Sequence, residues 1–174
     1  MSPQGNVILV GPMGAGKTTI GKHLARLFNK QFLDLDHEIE SRCGADIPWI
    51  FDVEGEQGFR QRETALLGEL LKNNNIVLAT GGGVVVSPDN RRLLGANGFV
   101  VYLAVGIEDL YERTRQDTRR PLLQVADRRK AIERILQERD PLYREVADLV
   151  FYSKKQSPAQ VAEELADEIT LAPG

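Results

Sequence analysis

The chain has 174 residues, with 22 Lys and Arg against 25 Asp and Glu, for a formal net charge of -3. That length suits one domain around one sizeable core, and the acidic balance argues against a general nucleic-acid binder. At 42% hydrophobic and 27% charged residues, the composition is that of a folded globular chain rather than a disordered one.

The predicted elements begin with Asn6-Val-Ile-Leu-Val10, a short run with a β-branched bias that reads as a buried parallel strand. A Gly-rich turn leads into a helix with Ile20, Leu24, Leu27 and Phe28 on one face. Gln31 to Asp34 is a second strand, and a helix from Asp36 to Cys43 ends at Gly44. Ile47 to Phe51 is apolar. Gly58 restarts the chain, and a helix follows from about Phe59 to Lys72, with Leu66, Leu67, Leu70 and Leu71 inward and Asn73-Asn74-Asn75 as its stop. Ile76 to Ala79 is a third strand, running into Gly81-Gly82-Gly83, and Gly98 to Ala104 is a fourth. Arg113 to Val125 has no clean period and reads as a mobile loop. Asp127 caps a helix to about Arg139. Leu149 to Tyr152 is a fifth strand. Ser157-Pro158 opens a last helix with Val161, Leu165 and Ile169 inward. Short apolar strands separated by helices predict a three-layer α/β/α fold with a five-stranded parallel sheet, in a single domain covering 1–174. The helix-rich stretch of about 36–62 is a candidate substrate subdomain.

No apolar run nears the roughly 20 residues of a bilayer span. Met1 to Gly5 has no basic leader region, so no signal peptide is expected. Cys43 has no partner for an internal disulfide, and His23 and His37 are too few for a histidine metal cage. A cytoplasmic protein is expected, with chemistry built on oxygen, guanidinium and backbone groups. No exposed apolar stripe demands a partner, so a monomer is expected.

Gly11-Pro-Met-Gly-Ala-Gly-Lys17-Thr18 fits G-x-x-x-x-G-K-[ST], with a strand before it and a helix after it. Backbone N–H groups turned toward one point, together with the positive end of the helix, make a phosphate cradle. Lys17 reaches the β- and γ-phosphates, and the Thr18 hydroxyl is set to ligate Mg²⁺. This predicts nucleotide binding without specifying a reaction. Asp52-Val-Glu-Gly55 matches D-x-x-G and Asn29-Lys30-Gln31-Phe32 resembles a guanine reader. The first is not at a strand end and the second lacks its acidic fourth residue, so both read as coincidence.

Five features bear on a second substrate. Asp34 and Asp36 end the second strand, where alternation puts both carboxylates on one side. One can hold Mg²⁺ through water and the other can orient or deprotonate a hydroxyl; the plain alternative is Asp36 as a helix cap and Asp34 as a surface charge. Arg60 and Glu63 stand at i,i+3, either as an aimed guanidinium or as a surface ion pair. Gly81 to Gly83 suit either close backbone approach to a ligand or a flexible loop. Arg139 shares the stripe of Ile132, Ile135 and Leu136, so it faces a ligand or snorkels at the helix end. From Arg113 to Lys130, seven basic residues stand against two acids, Asp117 and Asp127. Such a loop either closes over transferred phosphates or is simply solvated.

Taken together, from Asn6 to about Leu165, the ordered motifs resemble the shikimate kinase family. They are the glycine-rich loop at 11–19, Asp-Leu-Asp at 34–36 and Phe-Arg-x-x-Glu at 59–63, followed by the three glycines at 81–83, Arg-Pro-Leu-Leu at 120–123 and Arg-x-Pro-Leu-Tyr at 139–143. The resemblance implies a fold like that of nucleoside monophosphate kinases, with a lid over about 113–125. It implies transfer of the γ-phosphoryl of MgATP to the 3-hydroxyl of shikimate. Gly14, Ala15, Gly16, Lys17, Thr18 and Thr19 would bind ATP, with Arg113 near adenine and Arg120 as the lid arginine. Thr18 and Asp34 would hold Mg²⁺. Asp36 would bind the shikimate hydroxyls as candidate base. Arg60 and Arg139 would hold its carboxylate beside Gly81, Gly82 and Gly83, with Gly82 donating its N–H. Gln156 stands where the family often has an adenine-side arginine. Thr80-Gly81 stands where other ATPases carry an acid, as in the family. ATP and shikimate are the expected partners, with no nucleic acid or membrane. The alternatives are a gluconate-type sugar-acid kinase and a nucleotide-dependent binding protein that transfers nothing.

Overall fold

The computed structural model describes residues 3–115, 127–153 and 156–172. Five short strands form one sheet: β1 (Val7–Val10), β2 (Gln31–Asp34), β3 (Ile76–Ala79), β4 (Phe99–Ala104) and β5 (Leu149–Tyr152). Their order is β2-β3-β1-β4-β5, and every neighbouring pair is parallel. Parallel pairing requires crossovers, and helices supply them. These are α1 (Lys17–Phe28), α2 (Leu35–Cys43), α3 (Ile47–Leu70), α4 (Pro88–Ala96), α5 (Ile107–Arg113), α6 (Arg128–Val146) and α7 (Pro158–Leu171). A single 3-10 turn spans Val84–Val86. The expected five-stranded parallel sheet with helices on both faces is therefore present. Among the described residues no helix is long and apolar enough to cross a membrane.

Strand alternation divides the core in two. Ile8 and Val10 join Leu78, Val100 and Tyr102 under α2, α3 and α4. Val7 and Leu9 join Val77, Val101 and Leu103 under α1 and α7. Each fully buried side chain of this size contributes about 1.5–3 kcal/mol. Helix α6 serves both halves, with Ile132 in one and Tyr143 in the other. Asn6 closes the sheet at the start of β1. Its side-chain amide donates to the carbonyls of Asn73 (2.8 Å) and Asn97 (3.1 Å), and its oxygen accepts from Ile76 N (3.1 Å).

Several boundaries depart from expectation. Asp34, not Asp36, caps α2: its Oδ1 accepts from His37 N at 3.0 Å. Asp36 lies in the first helical turn, so the strand alternation expected to align the two carboxylates does not operate. The break in α3 falls at Gly55 (φ 75°, ψ 176°), and Gly58 is helical. Leu27 is 51% exposed, beside rather than on the buried face of α1. Helix α6 continues past Arg139 and Pro141 to Val146. Helices α4 and α5 and the 3-10 turn were not anticipated. Arg113 closes α5 instead of opening a loop, while residues 116–126, including Arg119 and Arg120, lie outside the described residues.

Candidate active site

The cradle forms where β1 ends. Gly16 takes φ 89°, a left-handed conformation that glycine adopts without strain, and starts α1. The chain thereby turns so that α1 begins against the sheet with its N-terminus facing outward. Lys17 is buried, and its Nζ donates to the carbonyls of Gly11 (2.6 Å) and Pro12 (2.9 Å). Thr18 and Thr19 are exposed beside it. The Thr18 hydroxyl donates to Asp34 Oδ2 at 2.5 Å, so the two groups expected around Mg²⁺ meet. This all-oxygen pair fits a hard cation that takes its remaining ligands from phosphate and water. No group of three or more His, Cys, Asp or Glu that could hold a metal occurs among the described residues.

A cleft of about 630 Å³ runs from Gly14, Gly16, Lys17, Thr18 and Thr19 past Asp34 to Asp36, Gly81 and Gly82. A smaller cavity of about 50 Å³ shares Asp36, Gly81 and Gly82 with it and adds Arg60, Glu63, Gly83 and Arg139. Gly81 and Gly82 line both, and Gly83 lines the smaller one alone. A Cβ on Gly81 would stand 2.7 Å from Asp36 Oδ1, one on Gly82 would stand 3.7 Å from Arg139 Nη1, and one on Gly83 would overlap the Arg60 guanidinium. Bare backbone at Gly81 and Gly83 is what lets the Asp36 carboxylate and the Arg60 guanidinium come this near, while Arg139 would be in ordinary contact and the tight neighbour of Gly82 is Met13 N, at 3.2 Å.

Arg60, partly buried, and Glu63, fully buried, pair on α3, with Nη1 to Oε1 at 3.0 Å. Arg60 Nη2 also approaches Glu56 at 3.5 Å. Glu63 has no solvent contact. Burial pushes its carboxyl up to about 7, the charge and hydrogen bond of Arg60 pull it back, Asp36 adds to the rise and Arg139 opposes it. Arg139, 7% exposed, projects from α6 into the same cavity. It is therefore an inward guanidinium rather than a snorkelling one, and Arg60–Glu63 is not a surface pair.

A family model for shikimate kinase matches residues 13–170. A shikimate kinase of Shewanella frigidimarina is 52% identical over 169 residues, covering 97% of this chain and 99% of its own. The chain belongs to the shikimate kinase family. A solved shikimate kinase from Acinetobacter baumannii, in complex with shikimate, superposes with a TM-score of 0.94 at 49% identity, covering 95% of this chain and 93% of its own. A gluconokinase from Sinorhizobium meliloti shares the fold alone, at a TM-score of 0.55 and 15% identity.

Shikimate kinases are phosphotransferases that use ATP, and the remaining expected ATP-side residues fall as follows. Arg113 is exposed and its Nη1 donates to the carbonyl of Gly14 at 3.2 Å. Gln156 is exposed on the turn between β5 and α7 and does not line the cleft. Arg120 lies outside the described residues.

Two site contributors, Asn90 and Phe51, escaped the sequence reading, while Phe59 entered it only within the motif at 59–63. Asn90, fully buried on α4, donates to Val84 O at 2.9 Å and sits 3.5 Å from Glu63 Oε1. Phe51 and Phe59 meet across the break in α3 with ring centroids 4.9 Å apart and line the smaller cavity. A helix carrying only Asn90 and Leu94 inward shows no apolar period, so nothing local announced it. The two aromatics have a local signal, their apolar character, but that equally describes core.

Proposed function

We propose that the chain transfers the γ-phosphoryl group of MgATP to the 3-hydroxyl of shikimate, giving shikimate 3-phosphate and ADP. The observation that carries this reading is continuity: the cradle around Lys17 opens across Gly81 and Gly82 into a cavity holding Asp36, Arg60 and Arg139. Two inward-facing guanidiniums, Arg139 buried and Arg60 partly so, suit a carboxylate, and Asp36 suits a polyol.

In this reading the backbone of Gly14, Ala15 and Gly16 and the side chains of Lys17, Thr18 and Thr19 hold the phosphates. Thr18 and Asp34 hold Mg²⁺, which neutralises charge on the phosphate oxygens when bound. Arg60, braced by Glu63, and Arg139 grip the substrate carboxylate, and the Gly82 N–H adds a donor beside Gly81 and Gly83. Asp36 orients the 3-hydroxyl and accepts its proton as the new O–P bond forms and the bond to the β,γ-bridging oxygen breaks. Lys17 and Arg120 stabilise the charge on the transferring group, and Arg113 and Gln156 lie toward the adenine. Residues of about 36–62 serve as the substrate subdomain and 113–125 as the lid of a single domain. Such a reaction needs positioning and electrostatic stabilisation more than covalent chemistry.

We further read the chain as a cytoplasmic monomer that binds neither nucleic acid nor membrane, on its net charge of -3 and its single cysteine. A coupled assay of ADP release with shikimate and MgATP tests the function. Folded protein without shikimate-dependent turnover rejects it, and preferred turnover of gluconate would redirect it. Size-exclusion chromatography tests the monomer.

A further inference from the structure

The carbonyls of the glycine segment are held in two different ways. Gly81 O accepts from Val84 N at 3.2 Å and Gly83 O from Val86 N at 3.1 Å, both within the turn that follows. The carbonyl between them, Gly82 O, accepts instead from the hydroxyl of Tyr143, which comes from α6. Tyr143 is fully buried, and its ring packs on Tyr102 with centroids 4.8 Å apart. It stands one helical turn beyond Arg139 on the same helix, so the two side chains share a face. Burial pushes the Tyr143 hydroxyl up to about 12, and the charge of the neighbouring Arg139 opposes that rise. The hydroxyl therefore keeps its proton at neutral pH and donates it to Gly82 O, with Arg139 lining the same small cavity beside it.

We propose that Tyr143 is a positioning residue for the carboxylate end of the substrate site, bridging the Arg139 guanidinium to the Gly82 carbonyl. This rests on the function proposed above. The bond to Gly82 O holds the ψ angle of Gly82 and with it the peptide plane that leads to Gly83. The contact with Arg139 holds the guanidinium against the same backbone. Removing one oxygen frees both. Among the described residues this hydroxyl makes no hydrogen bond to the ATP cradle, so the effect falls chiefly on the second substrate.

Tyr143→Phe tests this by steady-state kinetics. The expected result is a rise of roughly ten-fold in KM for shikimate, as for a buried acceptor left without its donor, with kcat and KM for ATP within about two-fold of the parent. Tyr102→Phe is the control. It deletes the other hydroxyl of the same ring pair, which donates to Asp140 at 2.7 Å outside the site. It should lower thermal stability and leave KM for shikimate unchanged. An unchanged KM for shikimate in Tyr143→Phe, equal rises for both substrates, or an equal rise in Tyr102→Phe overturns the proposal.

Should Tyr143→Phe fail to fold, the parent chain labelled with fluorotyrosine gives the answer by fluorine NMR, its signals assigned by replacing Tyr102, Tyr111 and Tyr152 in turn. The Tyr143 signal is expected to move with shikimate and stay with MgATP; a signal indifferent to shikimate overturns the proposal. A parent chain that turns over no shikimate at all would reject the proposed function instead.

Discussion

Glu63 is a carboxylate held wholly out of water against Arg60. Its carboxyl titrates at about 7 in the folded chain against 4.5 ordinarily, chiefly through burial. The folded state thus holds an extra proton between those values. The stability this group contributes is fully present below about 4.5 and is lost as pH rises toward 7, on the order of 3 kcal/mol at most. Thermal melts of the ligand-free chain from pH 5 to pH 8 should show a fall in Tm that Glu63→Gln largely abolishes; parallel curves would refute this. Asp36 lies where a hydroxyl meets the cradle, and Asp36→Asn should lower kcat by about 10²-fold or more, with ATP binding retained by calorimetry. Near-normal kcat would remove its role in proton transfer. The pairing of Arg60 with Glu63 was readable from their i,i+3 spacing, because it is a property of one helix. That Glu63 is buried was not, because Asn90, whose amide reaches it, comes from 27 residues further along.

Helix α3 is two arms folded at Gly55, whose φ of 75° and ψ of 176° suit glycine almost alone. Arg62 closes the angle from the second arm by a two-pronged contact with Glu54, at 2.7 Å for each prong. Gly58 lets the arms come this near, since a Cβ there would meet Glu54 Cβ at 2.5 Å. Gly58→Ala should splay the arms, lower Tm by roughly 3–10 °C and raise KM for shikimate, because Arg60 rides on the second arm. Unaltered melting and kinetics would show that the angle does not matter. The sequence pointed to Gly58 as the break rather than Gly55, although each follows a plausible helical stretch. The cradle was the reverse case. Its glycines, lysine and threonine act within eight consecutive residues, so strand, turn and helix could be placed from local pattern. Helix α5 buries Leu110 as its one core side chain, too little for a period to emerge.

Across the whole molecule, the sheet order puts β1 between β3 and β4, so the crossovers on its two sides part above its carboxyl end. Ligands of open α/β sheets bind at such a point, and the cleft opens there, with Gly14 and Gly16 after β1 and Gly81 and Gly82 after β3. The alternation of helices and apolar strands made this architecture legible early, while the strand order could not be, because pairing is between segments remote in the chain. At the far end of the same strands, Asn6 joins three segments by three hydrogen bonds. Asn6→Ala should cost about 3 kcal/mol, or roughly 6–12 °C in Tm, while kcat at a temperature where the variant stays folded remains near that of the parent. A large fall in kcat with little change in melting would show the two ends to be coupled. The carboxamide of Asn6 acts as a keel: anyone redesigning the mouth of this enzyme for another acid should leave alone the one amide that ties the strands together near the opposite pole.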